Sequence, residues 1–280
     1  MLDFLQYPFM QRALIAAVLT GASCSIIGVF IVLKGYAFIG AGISQAGFAG
    51  VAFALLMGFN PLLGAFLGAI LLVVLLTAFK RRADIKEDAA IGVLFSSSMA
   101  LGVLFIGLMK HYPPDLLSYL FGNLLAVSQQ TLKVMGIVAS IIILLLIIFY
   151  RQIQYTMFDS ESAFLSGIPT GLIYFAFLIA VAVTIVLSLQ AVGQALVLAL
   201  LIIPGTIAIQ LTKRLPGVLI LSGLLGIFAS TVGMILSYYL DVPSGSTIVL
   251  VLGLLFAIIT LFSPSRWRKK TKNLTRGSAL

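Results

Sequence analysis

The chain has 280 residues, of which 61% are hydrophobic and 9% charged, and its formal net charge is +9. Soluble domains carry about 45–50% apolar and about 25% charged residues, so a water-soluble globule is excluded. The single cysteine, Cys24, excludes an intramolecular disulfide, a CxxC redox pair and a multi-thiolate zinc site. The 26 Gly and 9 Pro follow no collagen or linker period and interrupt long apolar runs, as in polytopic helical membrane proteins.

A helix needs about 20 apolar residues to cross the hydrocarbon core. On that measure, spans are expected near residues 12–33, 61–79, 89–109, 131–150, 171–189, 192–211, 217–240 and 246–263. The apolar run from Ala13 to Leu33 is span-length and lacks a small-residue cleavage site, so it reads as a first mature helix rather than a signal peptide. A further segment, 42–58, is short and contains Gly42, Gly47, Gly50 and Gly58. Small residues of this kind let helix backbones approach closely in lipid, but its length leaves open whether it crosses. The expectation is an all-α, polytopic membrane protein with eight or nine transmembrane helices. One transmembrane domain fills 1–264, and 265–280 form a basic cytoplasmic tail.

Positive charge clusters at Lys80, Arg81, Arg82 and Lys86, at Lys213 and Arg214, and between Arg266 and Arg276. Short loops rich in Lys and Arg stay in the cytoplasm beside anionic headgroups. No basic stripe interleaves with exposed aromatics, so nucleic acid is not an expected partner; the lipid bilayer is. Strict alternation puts 151–169 inside, and 110–130 and 241–246 outside. Arg12 and Lys34 flank the first span equally, so the side of the N-terminus depends on whether 42–58 crosses.

Ionisable side chains deep in a membrane mark ion and proton pathways. Here Asp3, Asp84, Glu87, Asp88, Asp115, Asp159, Glu161 and Asp241 all fall in expected loops or termini, and His111 falls in an external loop. A carboxylate proton relay, an intramembrane metalloprotease and a serine–histidine hydrolase are therefore disfavoured. The polar residues inside the spans are neutral: among them Ser23, Ser25, Ser44, Gln45, Ser96, Thr184, Ser188, Gln194, Thr206 and Thr231. Most such groups serve packing. Gln45, an amide in a Gly-lined helix, is a candidate pathway residue together with Ser44. Pro204 removes one helical hydrogen bond and is a candidate hinge.

The sharpest local pattern is the loop Phe158–Pro169. Asp159 is placed to cap a short helix, Glu161 sits in its first turn, Gly167 ends it and Pro169 prevents continuation. This reads as a short amphipathic helix outside the membrane, either a plain connection or a docking element for a soluble partner.

In order along the chain, several runs resemble landmarks of the membrane permease subunits of zinc, manganese and iron ABC importers. They are Phe9–Leu14, Gly28–Lys34, Ala90–Gly92, Phe121–Val127, the Phe158–Asp159 loop, Val192–Gly193 with Ala199–Pro204, and Asp241–Gly245. The resemblance implies a homodimer in the bacterial plasma membrane, an ABC ATPase subunit below it and an extracytoplasmic substrate-binding protein above it. It also implies that Asp159, Glu161, Ala163 and Gly167 belong to the helix that couples transport to ATP hydrolysis. The chain has no Gly-x-x-x-x-Gly-Lys-Ser/Thr loop. It is therefore expected to be a transport subunit without an ATPase site, binding no cofactor itself, with ATP hydrolysed by the partner subunit.

One departure bears on cargo. The family places an Asp and a His four residues apart, on one helix face, where this chain reads Gly40-Ala41-Gly42-Ile43-Ser44-Gln45-Ala46. Ala41 offers no ligand and Gln45 only an amide, so the metal ligands are not assigned. A divalent metal passing along weak oxygen ligands is one reading, with a chelated metal or other small solute as a second. A membrane scaffold that docks an ATPase without passing substrate is a third.

Overall fold

A computed structural model of the chain describes residues 7–36, 38–82, 87–109, 124 and 127–262. It contains α1 (Pro8–Lys34), α2 (Ile39–Met57), α3 (Pro61–Arg82), α4 (Glu87–Gly107), α5 (Gln129–Ile148), α6 (Tyr150–Phe158), α7 (Ser160–Leu165), α8 (Thr170–Val192), α9 (Gln194–Leu211), α10 (Leu215–Leu240) and α11 (Ser244–Phe262). No strand occurs among the described residues. Nine of these helices, all but α6 and α7, are long and apolar enough to cross a membrane. Asp3, Asp84, Lys86, His111, Asp115, most of the Phe121–Val127 run and the tail 265–280 lie outside the described residues.

The expected spans agree with the observed helices to within a few residues. The Gly-rich segment forms the 19-residue helix α2, much of it buried. Lys34, at the end of α1, lines one cavity with Lys80 of α3 and Glu161 of α7. The end of α1 thus lies at the same end of the bundle as the basic segment that follows Lys80, the kind of segment expected to stay in the cytoplasm.

Two helix groups make up the bundle. In one, α2 packs on α3 and α4; in the other, α1 packs on α9 and α10, with α11 against α9 and α10. Helix α8 touches both groups. Lipid is as apolar as a protein interior, so close backbone approach and interhelical hydrogen bonds, rather than burial from water, hold such groups together. In the second group, a Cβ on Gly28 would overlap the Leu201 carbonyl, and Gly21 and Gly226 approach so closely that neither leaves room for a Cβ on the other. Across α2 and α3 the equivalent contact is between Gly50, Gly64 and Gly68. Gly42 and Gly47 meet neighbours only at ordinary van der Waals distance, and Gly58 ends α2. Of the four glycines that pointed to close packing, Gly50 alone provides it.

Helix α9 runs continuously through Pro204. Proline has no N–H, so the Leu200 carbonyl one turn earlier loses its helical donor. The Ser25 hydroxyl of α1 donates to that carbonyl at 3.2 Å, and the Ser222 hydroxyl of α10 donates to the Ser25 carbonyl at 2.8 Å. The proline therefore sits where a neighbouring helix satisfies the group it leaves bare. Gly193 alone joins α8 to α9, at φ 80, a backbone region that favours glycine.

Candidate functional site

The first candidate site is built on a broken helix. Asp159 is extended (φ −146, ψ 91), which ends α6 and starts α7. Its carboxylate accepts the Ser162 N–H at 3.0 Å and the Ser162 hydroxyl at 2.6 Å, satisfying a donor left bare at a helix start. These bonds hold the Asp159 carboxyl below its ordinary pKa, mainly through the Ser162 hydroxyl. A lowered folded-state pKa means the cap contributes fully above the ordinary carboxylate range and is lost as pH falls through the lowered value. The cap is therefore intact at neutral pH. At the other end, the Gly167 N–H donates to the Phe164 carbonyl at 3.0 Å and the Ile168 N–H to the Ala163 carbonyl at 3.1 Å. Gly167 adopts φ 80 to close this turn.

Asp159, Glu161, Ala163 and Gly167 are thus brought into one short, capped element. Ala163 points inward and is buried, whereas Phe164 and Leu165 are 69% and 85% exposed and Phe158 is 60% exposed. The exposed face mixes these apolar side chains with Ser160, Glu161 and Ser162. Sequence reading found the caps but not this face, because a six-residue helix has too few turns for its pattern to show which side packs. Behind α7 lies a cavity of about 580 Å³ whose lining includes Lys34, Lys80, Glu161 and Tyr174.

The membrane site centres on α2. Ser44 and Gln45 are buried and Ala41 is half-buried. The Gln45 amide nitrogen donates to Gln194 Oε1 at 3.3 Å, tying α2 to the first residue of α9. Ser44 Oγ has no hydrogen-bond partner among the described residues. The structure therefore links Gln45 to the helix that carries Pro204. No group of three or more His, Cys, Asp or Glu occurs among the described residues. Cys24 is fully buried, with its Sγ 3.5 Å from Ser188 Oγ, in a packing position between α1 and α8. Several remaining hydroxyls, those of Ser23, Ser96, Thr184, Thr206 and Thr231, donate to carbonyls one turn earlier, the packing role expected of them.

Residues 6–263 match the family model described as "ABC 3 transport family". The manganese transport system membrane protein MntC of Halalkalibacterium halodurans is 38% identical over 283 residues, covering 99% of this chain and 97% of that protein. The chelated iron transport system membrane protein YfeD of Yersinia pestis is 33% identical over 257 residues, covering 92% and 86%. A solved structure described as PsaBC from Streptococcus pneumoniae in complex with Fab aligns with a TM-score of 0.85 at 34% identity, covering 97% of this chain and 98% of that one. The nine helices of span length among the described residues and these likenesses together define a multi-pass transport protein of the bacterial inner membrane. The chain belongs to the ABC 3 transport family.

Proposed function

We propose that this chain is the permease subunit of an ATP-driven importer that moves a divalent metal ion: manganese, zinc or iron. Two copies form the transmembrane unit, a partner ABC ATPase docks on each cytoplasmic face, and an extracytoplasmic binding protein delivers the cargo. The observation that carries this reading is α7, a capped helix set apart from the span-length helices, with Phe164 and Leu165 exposed. The lack of a phosphate-binding loop in the chain supports a motor supplied in trans. Nucleotide-driven closure of the ATPase pair would displace α7 and rock the helix groups between outward-open and inward-open states, a rigid-body switch of packed elements.

A second reading is favoured by the α2 chemistry. Hard and borderline divalent ions select carboxylate and imidazole donors, and Ala41, Ser44 and Gln45 supply neither. A metal carried within a chelate needs no such ligands from the conduit, and the Yersinia relative is named for chelated iron transport. Weak ligands also suit a conducted ion, which must leave as readily as it enters.

Gln45 separates a packing role from a pathway role. Gln45→Leu is expected to depress uptake about tenfold, the scale of about 1.4 kcal/mol of lost interaction, while the purified dimer still assembles. Normal uptake would return Gln45 to packing. For the function as a whole, a strain lacking this gene is expected to hold less manganese, zinc or iron by elemental mass spectrometry, and the gene in trans is expected to restore it. Unchanged content of all three metals under metal limitation would oppose the reading.

A further inference from the structure

Four side chains from four helix ends meet behind α7 and belong to no role described above. Lys80, at the inner end of α3, pairs with Glu87 in the first turn of α4. The Tyr174 hydroxyl, one turn into α8, donates to the other oxygen of Glu87 at 3.3 Å. The Lys80 ammonium lies over the Tyr174 ring, 4.0 Å from its centroid, in the geometry of a cation–π contact. The Tyr36 ring, just past α1, meets Tyr174 edge-on at 6.5 Å between centroids. Tyr174 is 5% exposed, and Lys80–Glu87 is the one ion pair among the described residues.

The placement of this cluster gives it direction. Helix α8 begins five residues after α7 ends, and the Ile168 N–H to Ala163 and Thr170 N–H to Ile168 bonds make the connection short and stiff. Any displacement of α7 therefore moves the first turn of α8, and Tyr174 with it. Tyr174 holds the inner ends of α3 and α4, and both of these pack on α2, which carries Ser44 and Gln45.

We infer that the Tyr174–Glu87–Lys80 cluster is a mechanical relay, through which movement of α7 is passed by α8 to the α2–α4 group, and that Tyr174 is a positioning residue for transport. Coupling between distant sites requires an element that both sites bias, and a hydrogen bond to a charged group in a half-buried site is strong enough to act as one. The inference rests on the importer reading above.

The test uses the assembled complex in proteoliposomes, with metal uptake and ATP hydrolysis measured together. Tyr174→Phe keeps the ring and its contacts but removes the hydroxyl. It is expected to lower metal moved per ATP hydrolysed at least about fivefold, the low end of ordinary coupling effects, with dimer assembly and thermal stability in detergent retained. Glu87→Gln still accepts the phenol but loses the ion pair and should fall between wild type and Tyr174→Phe. The double variant should be no worse than Tyr174→Phe, because both changes cut one link. An unchanged ratio of uptake to hydrolysis in Tyr174→Phe overturns the relay, and so does failure of both single variants to assemble, which would make the cluster structural only. If the wild-type complex itself moves no metal, it is the importer reading that fails.

Discussion

Gly28→Val is expected to abolish assembly of the folded chain. A Cβ at this position would overlap the carbonyl oxygen, carbonyl carbon and Cα of Leu201, all of them backbone atoms of α9. Overpacking typically costs about 1–3 kcal/mol when side chains can shift, but no rotamer relieves a clash with backbone. The only escape is to part α1 from α9. That would also break the Ser25 hydrogen bond to the Leu200 carbonyl, leaving that group bare at the Pro204 position. Gly92→Ala is the matching control, since a Cβ there meets nothing within 4 Å and replacing a helical Gly by Ala gains about 0.8–1.0 kcal/mol. Size-exclusion profiles and thermal unfolding in detergent compare the two. A monodisperse Gly28→Val protein with wild-type stability would contradict the close crossing.

The second large effect is expected at α7. Asp159→Ala with Glu161→Ala should lower ATP-driven metal uptake by about tenfold or more, on the scale of losing an interface hot spot. The first change removes the cap that fixes the start of α7, and the second removes an exposed carboxylate from its first turn. Asp159→Asn should retain most activity, because Asn and Asp serve comparably at a helix N-cap. Uptake, ATPase stimulation and pull-down of the ATPase subunit are the readouts. Unchanged uptake and complex formation in the double variant would remove α7 from the coupling role. If Asp159→Asn proved as defective as Asp159→Ala, the charge, and not the cap, would be what matters.

The spans were legible in the sequence because the bilayer sets their length and the residues that punctuate them are explicit. Asp159, Gly167 and Pro169 frame α7. Burial within the spans was not legible. A helix such as α8 is apolar nearly all round, so hydropathy does not tell a lipid-facing side from a packed one. The contacts that define the candidate sites join residues far apart in the chain: Gln45 with Gln194, Ser25 with Leu200, and Glu87 with Tyr174. Nothing in the sequence around any one of these side chains points to its partner. Lys80 and Glu87 carried one hint, since they face each other across the short α3–α4 connection. Tyr174, whose phenol completes the group, carried none.

On the reading proposed above, an uncharged helical conduit is moved by a motor docked on α7. The most direct measurement is metal accumulation in proteoliposomes that contain this chain and its ATPase subunit, loaded with the binding protein, with and without ATP. ATP-dependent accumulation of manganese, zinc or iron, free or chelated, is expected, and it should be lost when the ATPase is omitted. Vigorous ATP hydrolysis by the assembled complex with no accumulation of any of these cargoes would contradict it.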